Sequence, residues 1–301
     1  MSCAHGLWFV TLASGADDPA LPTAARGRAT GAPVQFCSLP DGPSPFVAAL
    51  ARAERFADAC GHLVFVGSAH RSLWQDGLRA GHAGGAPDPV VFLEREPRGS
   101  GVALLTALSY LVQVDAGAIV VVQSPHVVVD DEPVLDEAIA TAIRHARGED
   151  NRVIVPIFVD GSARRPRAPR GHAPPAGAAR GRSGLAVGRA SAFVRAFDQV
   201  DRPLLRLFLA AARTAKPGLP STAEVVYPPI GRLDLEVDVL AASVSVLRTL
   251  TVPPCGALDL RDRAQSLRRL RRGQTEGRSA QRGPLPSFEG KILALAPEEV
   301  A

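Results

Sequence analysis

Residues suited to chemistry are thinly spread along this 301-residue chain. The seven histidines form no HExxH or other paired metal spacing, and no serine, histidine and acid fall in an order that suggests nucleophilic catalysis. The four cysteines, Cys3, Cys37, Cys60 and Cys255, include no CxxC pair, which suits a reducing cytosol and argues against a zinc site. Asp130-Asp131-Glu132 could gather a cation, although such a run is more often a helix start with acids placed against the macrodipole. Gly99-Ser100-Gly101 is no dinucleotide fingerprint, because Leu104 stands at the third glycine position; Gly and Ser there suit a helix cap. Gly15 closes the first apolar run and reads equally as part of a phosphate-cradling loop and as an ordinary strand-to-loop turn.

The elements that must position these residues alternate regularly. Short apolar runs at 7–12, 62–66, 89–93, 118–123 and 152–159 predict strands. Helical spacing predicts helices over 46–60, 71–80, 100–114 and 133–147. Alternation of this kind means βαβ units and a doubly wound, mostly parallel sheet. In such a sheet ligands bind beyond the carboxyl ends of the strands near the switch point, so the loop after the first strand is the first candidate site. A strand over 183–187 and helices over 191–199, 203–214 and 236–250 continue the pattern, with a short extended piece at 251–253. Residues 1–272 are expected to form one α/β domain with a small C-terminal extension, a basic helix over 264–272 and a flexible Arg/Pro/Gly loop over 160–182. Residues 273–301 are expected to be a disordered tail, save a short ordered piece around 292–295.

Composition supports a packed domain. Apolar residues make up 46% of the chain and aromatics only 5%, so Ala, Val and Leu must build the core. No apolar run approaches the roughly 18 residues of a membrane span, and residues 1–12 lack the basic start and cleavage site of a signal peptide, which predicts a cytoplasmic protein. The net charge of +4 is unevenly divided. Residues 161–182 hold six arginines and no acid, and residues 261–282 hold eight arginines against Asp262 and Glu276. The remainder is therefore acidic. The two basic segments read as solvated appendages of an arginine-rich chain, with 32 arginines and only Lys216 and Lys291, rather than as a nucleic-acid surface.

Six segments, in order, resemble the motifs of the mannose-1-phosphate guanylyltransferases. Leu12-Ala13-Ser14-Gly15-Ala16-Asp17-Asp18-Pro19-Ala20-Leu21-Pro22 followed by Pro33-Val34-Gln35-Phe36 is similar to LAGGSGTRLWP and PKQF. Glu96-Pro97-Arg98-Gly99-Ser100-Gly101-Val102-Ala103 resembles the segment with RNTAPA that opens a helix. Ile119-Val120-Val121-Val122-Gln123-Ser124-Pro125-His126 falls where the family has VVVLPADH. Ser183-Gly184-Leu185-Ala186-Val187-Gly188-Arg189-Ala190-Ser191 resembles NSGIFVFRAS, Pro229-Ile230-Gly231-Arg232-Leu233-Asp234 the SID segment, and Ala257-Leu258-Asp259-Leu260 the WSDLG segment.

The resemblance spans residues 7–270 and implies a nucleotide-diphospho-sugar transferase-like, Rossmann-type fold. It implies joining of a nucleoside triphosphate to a hexose 1-phosphate, with release of pyrophosphate and with Mg²⁺ as cofactor. Ala13, Ser14, Gly15, Arg98, Gly99 and Ser100 then become nucleotide-binding candidates, and Asp259 a metal ligand, against the plainer readings of cap and turn. The departures are chemical. Ser14 and Asp17 replace glycines, Pro19 stands for the loop arginine, Val34 for the PKQF lysine and Pro125 for the ADH aspartate. Segment 160–182 replaces the sugar loop, and Arg182 the asparagine of NSG. Asp17 and Asp18 would repel a phosphate unless a metal intervened. The expectation is a family skeleton with weak or absent catalysis. The alternative is a non-catalytic regulator that binds a nucleotide or nucleotide sugar of the GTP or GDP-mannose type, or forms a homo- or hetero-oligomer with an active paralogue.

Overall fold

The computed structural model describes residues 6–15, 32–39, 42–56, 59–81, 88–148, 151–159, 183–214, 230–262 and 292–294. Asp17, Asp18, Pro19, the segment 160–182 and the basic helix expected over 264–272 lie outside them.

The chain runs β1 (Leu7–Ala13), α1 (Pro45–Glu54), β2 (Ala59–Gly67), α2 (Arg71–Gly81), β3 (Val90–Glu94), α3 (Ser100–Val114), β4 (Ile119–Gln123), β5 (Val127–Val128), α4 (Glu132–Arg147) and β6 (Val153–Phe158). It continues with β7 (Leu185–Arg189), α5 (Ala190–Val200), α6 (Arg202–Thr214), β8 (Leu247–Val252), β9 (Leu258–Asp259) and β10 (Ile292–Ala294). Eight strands form one sheet in the order β10-β3-β2-β1-β4-β7-β6-β8. All neighbours are parallel except β7, which runs antiparallel to β4 and β6. The doubly wound α/β fold expected from the alternation is therefore present, with one reversed strand inside it.

The β-strand period divides the core into two layers. Val10 and Leu12 of β1, with Val120 and Val122 of β4, pack under α3, α5 and α6. Phe9, Ile119 and Val121 face α4, and Val64 and Val66 of β2 face α1 and α2. Helix starts are chemically marked. Ser44 accepts the Val47 N–H at 3.3 Å ahead of Pro45, and Asp131 accepts the Val134 N–H at 3.2 Å ahead of α4. The acids at 130–132 thus serve a helix start in part, while Glu132 turns to a buried arginine.

That arginine, Arg52, has only 2% of its surface exposed and ties α1 to β4 and α4. Its Nε and Nη2 donate to Glu132 at 3.0 and 2.7 Å, and its Nη1 to Gln123 Oε1 at 3.2 Å. Gln123 in turn donates to Thr11 Oγ1 and to the Ala49 carbonyl, and Thr11 Oγ1 lies 2.7 Å from His62 Nε2. Burial opposes ionisation of Glu132, but Arg52 and Arg55 outweigh it and hold its carboxyl below the usual range.

Two expected helices are corrected. The helix over 46–60 stops at Glu54, and Cys60 belongs to β2, whose residues pair along β1. The single helix over 236–250 is instead a π-helical turn (Leu235–Leu240), a 3₁₀ turn (Val244–Val246) and strand β8. The buried Ser243 hydroxyl donates to the Ala196 carbonyl at 2.9 Å and anchors the break.

Candidate functional site

The strand order places the switch point between β1 and β4, since β1 continues toward β2 and β3 on one side and β4 toward β7 on the other. A cavity of about 380 Å³ opens there. Ser14 and Gly15, directly after β1, form one wall, and Ser124 and His126, directly after β4, form the next. Ser124 Oγ lies 2.9 Å from His126 Nδ1 within a tight turn that leads into β5.

β5 pairs antiparallel with β9, and the Leu260 N–H donates to the His126 carbonyl at 2.8 Å. This pairing carries Arg261 to the cavity. Arg261 donates from Nε and Nη2 to Asp259 at 2.9 and 3.0 Å, and from Nη2 to Glu236 Oε2 at 3.3 Å. Glu236 Oε1 accepts the Gly184 N–H at 2.8 Å. Gly184 has φ +61°, and a Cβ there would lie 2.5 Å from Val127 Cγ2, so the approach needs glycine.

The remaining wall is the start of α3 under the segment 230–240. Leu233 crosses it closely. Its N–H donates to the Arg98 carbonyl at 2.9 Å, and its carbonyl accepts the Gly101 N–H at 2.8 Å. Ser100 Oγ accepts the Leu235 N–H at 2.9 Å. Asp234 caps the π-helical turn by accepting the Glu236 and Val237 N–H groups. The first turn of α3 thus spends donor and acceptor capacity on the chain itself.

Of the candidates read from sequence, Ser14, Gly15, Gly99 and Ser100 come together on the cavity. Ala13 is buried inside β1, and Arg98 pairs with Glu96 at 2.7 Å, so neither lines it. Gly99 is the N-cap of α3, as expected of a glycine there, with φ +95° and no side-chain cap, and the Ser100 hydroxyl next to it holds Leu235. Asp259 lies next to the cavity with both carboxylate oxygens turned to Arg261.

Sequence reasoning missed Arg232, Asp234, Glu236, His126 and Arg261 as cavity residues. It also missed Glu94, fully buried at the carboxyl end of β3. Burial pushes its pKa up from 4.5 to about 8, against a hydrogen bond with Ser14 that works the other way. A signal existed for Arg261, since an arginine two residues after Asp259 can fold back onto that carboxylate.

The Mg²⁺ that the motifs imply asks for several hard oxygen ligands. Among the described residues no group of three or more His, Cys, Asp or Glu could hold a metal ion, and the Asp259 carboxylate is engaged by a guanidinium. As described, Asp259 is held by Arg261 rather than left open to a cation.

This sheet order, with its reversed strand and its switch-point cleft, is a doubly wound, mostly parallel α/β fold shared with solved structures of nucleotide-diphospho-sugar transferase-like shape. No family model and no curated protein matches the chain. Among solved structures it is similar to a mannose-1-phosphate geranyltransferase from Thermus thermophilus, at 17% identity and TM-score 0.61, over 85% of this chain and 76% of that one. It is similar to a mannose-6-phosphate isomerase from Helicobacter pylori at 15% identity and TM-score 0.60, over 84% of this chain and 100% of that one. A 4-diphosphocytidyl-2C-methyl-D-erythritol synthase from Anaerococcus prevotii follows at 8% identity and TM-score 0.51, over 90% and 97%. At these identities the likeness is one of fold and singles out no guanylyltransferase. No helix among the described residues is long and apolar enough to cross a membrane.

Proposed function

We propose that this chain binds a nucleotide or nucleotide sugar, of the GTP or GDP-mannose type, in the switch-point cleft and is a non-catalytic or barely catalytic relative of the sugar-phosphate nucleotidyltransferases. The observation that carries this reading is the closure of Asp259 onto Arg261 beside a cleft that stays open. Nucleotidyl transfer needs charge stabilisation at the phosphates, and loss of one such donor typically costs about 3–4 kcal/mol of transition-state stabilisation. Val34 and Pro125 contribute neither charge nor ligand where the motifs would. A cleft without that apparatus can still hold a ligand, which suits regulation, for instance of an active paralogue in a mixed oligomer.

Two measurements test it together. Calorimetric titration with GDP-mannose and GTP should show binding. A pyrophosphate-release assay with GTP, mannose 1-phosphate and Mg²⁺ should stay at background. Turnover that disappears in Asp259→Ala would replace this reading with that of a working enzyme.

A further inference from the structure

We propose that Arg261 is a fixed cation of the cleft, binding a phosphate-bearing ligand through its guanidinium without a divalent metal; this rests on the nucleotide-binding reading above. Arg261 lines the cavity with its side chain only 22% exposed. Five hydrogen bonds orient it. Its backbone N–H donates to Asp259 Oδ1 at 3.0 Å, its Nε and Nη2 take both Asp259 oxygens, and Nη2 also reaches Glu236. Asp259 is itself fixed by the pairing of β9 with β5. Nη1 makes no hydrogen bond to any described residue, so its two N–H groups remain for a ligand oxygen. A planar guanidinium held in this way donates directionally to phosphate. Burial works against its charge, but Asp259, Glu236 and Asp234 outweigh that and keep it protonated.

Charge on the wall also selects the ligand. Among the described residues, Arg232 and Arg261 line the same cavity as Asp234 and Glu236, so their formal charges balance. A triphosphate brings more negative charge than such a wall can offset. A diphosphate diester brings less, and its sugar hydroxyls can donate to carboxylates while its phosphate accepts from Arg261. The structure therefore points to a nucleoside diphosphate sugar over a nucleoside triphosphate. Mg²⁺ could use Asp259 only by displacing two charge-assisted hydrogen bonds.

The test is calorimetry with GDP-mannose, GTP and inorganic pyrophosphate, each in EDTA and in Mg²⁺. The wild type should bind GDP-mannose more tightly than GTP, with equal affinity in EDTA and Mg²⁺. Arg261→Lys keeps the charge but loses the fork, and should weaken binding about tenfold or more. Arg261→Ala leaves Asp259 and Glu236 without their cation, so what binding it keeps should depend on Mg²⁺. Circular dichroism of both variants confirms that they fold, and the lysine variant alone decides the matter if the alanine variant does not. Wild-type binding that requires Mg²⁺, or unchanged affinity in Arg261→Lys, would overturn this inference and leave the nucleotide-binding reading standing. Absence of binding in both conditions would overturn the nucleotide-binding reading itself.

Discussion

Glu94 has none of its surface in contact with water, and its carboxyl touches Ser14 at the mouth of the cavity. Burial lifts its folded pKa to about 8 from 4.5. Between those values the folded chain holds a proton that the unfolded chain has released. The stability this proton confers is full below about pH 4.5, declines as pH rises, and is lost once pH passes about 8. Each unit of that interval is worth at most about 1.4 kcal/mol. Glu94→Gln, neutral at every pH, should flatten the fall in melting temperature between pH 5 and pH 8. Parallel pH curves for the two proteins would remove Glu94 as the source. The sequence hid this residue because an acid in Glu94-Arg95-Glu96 looks like a charged turn, and only the stacking of β3 against β2 takes it out of water. Ser14, Gly15, Gly99 and Ser100 were legible because strand ends and helix starts follow from local pattern. Arg232, Asp234 and Glu236 were not, since they reach the cavity through long-range docking of 230–240 on α3.

That docking depends on Gly99. Its φ of +95° is one that other residues adopt only with strain, and a Cβ there would lie 2.4 Å from the Leu233 carbonyl oxygen. The oxygen cannot withdraw without losing the Gly101 N–H. Gly99→Ala should therefore destabilise the protein by roughly 2–4 kcal/mol in urea unfolding, from strain and overpacking together. Ser100→Ala removes one hydrogen-bond acceptor and should cost about 1 kcal/mol. A Gly99→Ala protein as stable as wild type would mean that 230–240 rests on α3 loosely. The segment that follows was the least legible part of the fold. Leu240 and the valines near it suggest a helix face, yet the run Leu247-Arg248-Thr249-Leu250-Thr251-Val252 carries the β-branched Thr249, Thr251 and Val252 and can serve as a strand. Parallel pairing with β6 decides for the strand, and no local propensity announces it. The over-long helix at 46–60 failed for the same reason: β1 offers Ala59 and Gly61 a ladder that a helix end cannot match.

The two tryptophans report on opposite faces of the central sheet. Trp8 packs beside Tyr110 of α3, and Trp74 of α2 lies in the cluster with Phe46 and Leu50 of α1. One sheet separates these layers, so neither can be lost without stripping the strands that support the other. Single-tryptophan proteins, Trp8→Phe and Trp74→Phe, should each unfold in one transition by fluorescence that coincides with their own circular dichroism. Separate midpoints for the two probes in either variant would show independent layers. The layering itself was legible, because apolar runs alternating with helical spacing leave few alternatives. The reversal of β7 was not, since a run such as Leu185-Ala186-Val187 carries no direction. Nor does sequence order reveal that Ile292–Ala294 completes the sheet beside β3, a distant closure whose entropic cost grows only slowly with loop length. During synthesis β3, with its run Val90-Val91-Phe92-Leu93, must wait as an uncovered edge until Ile292 and its neighbours have been made. A product cut short before residue 292 would keep that edge open to strands of other chains, so losing a small piece of sequence there carries an aggregation hazard out of proportion to its size.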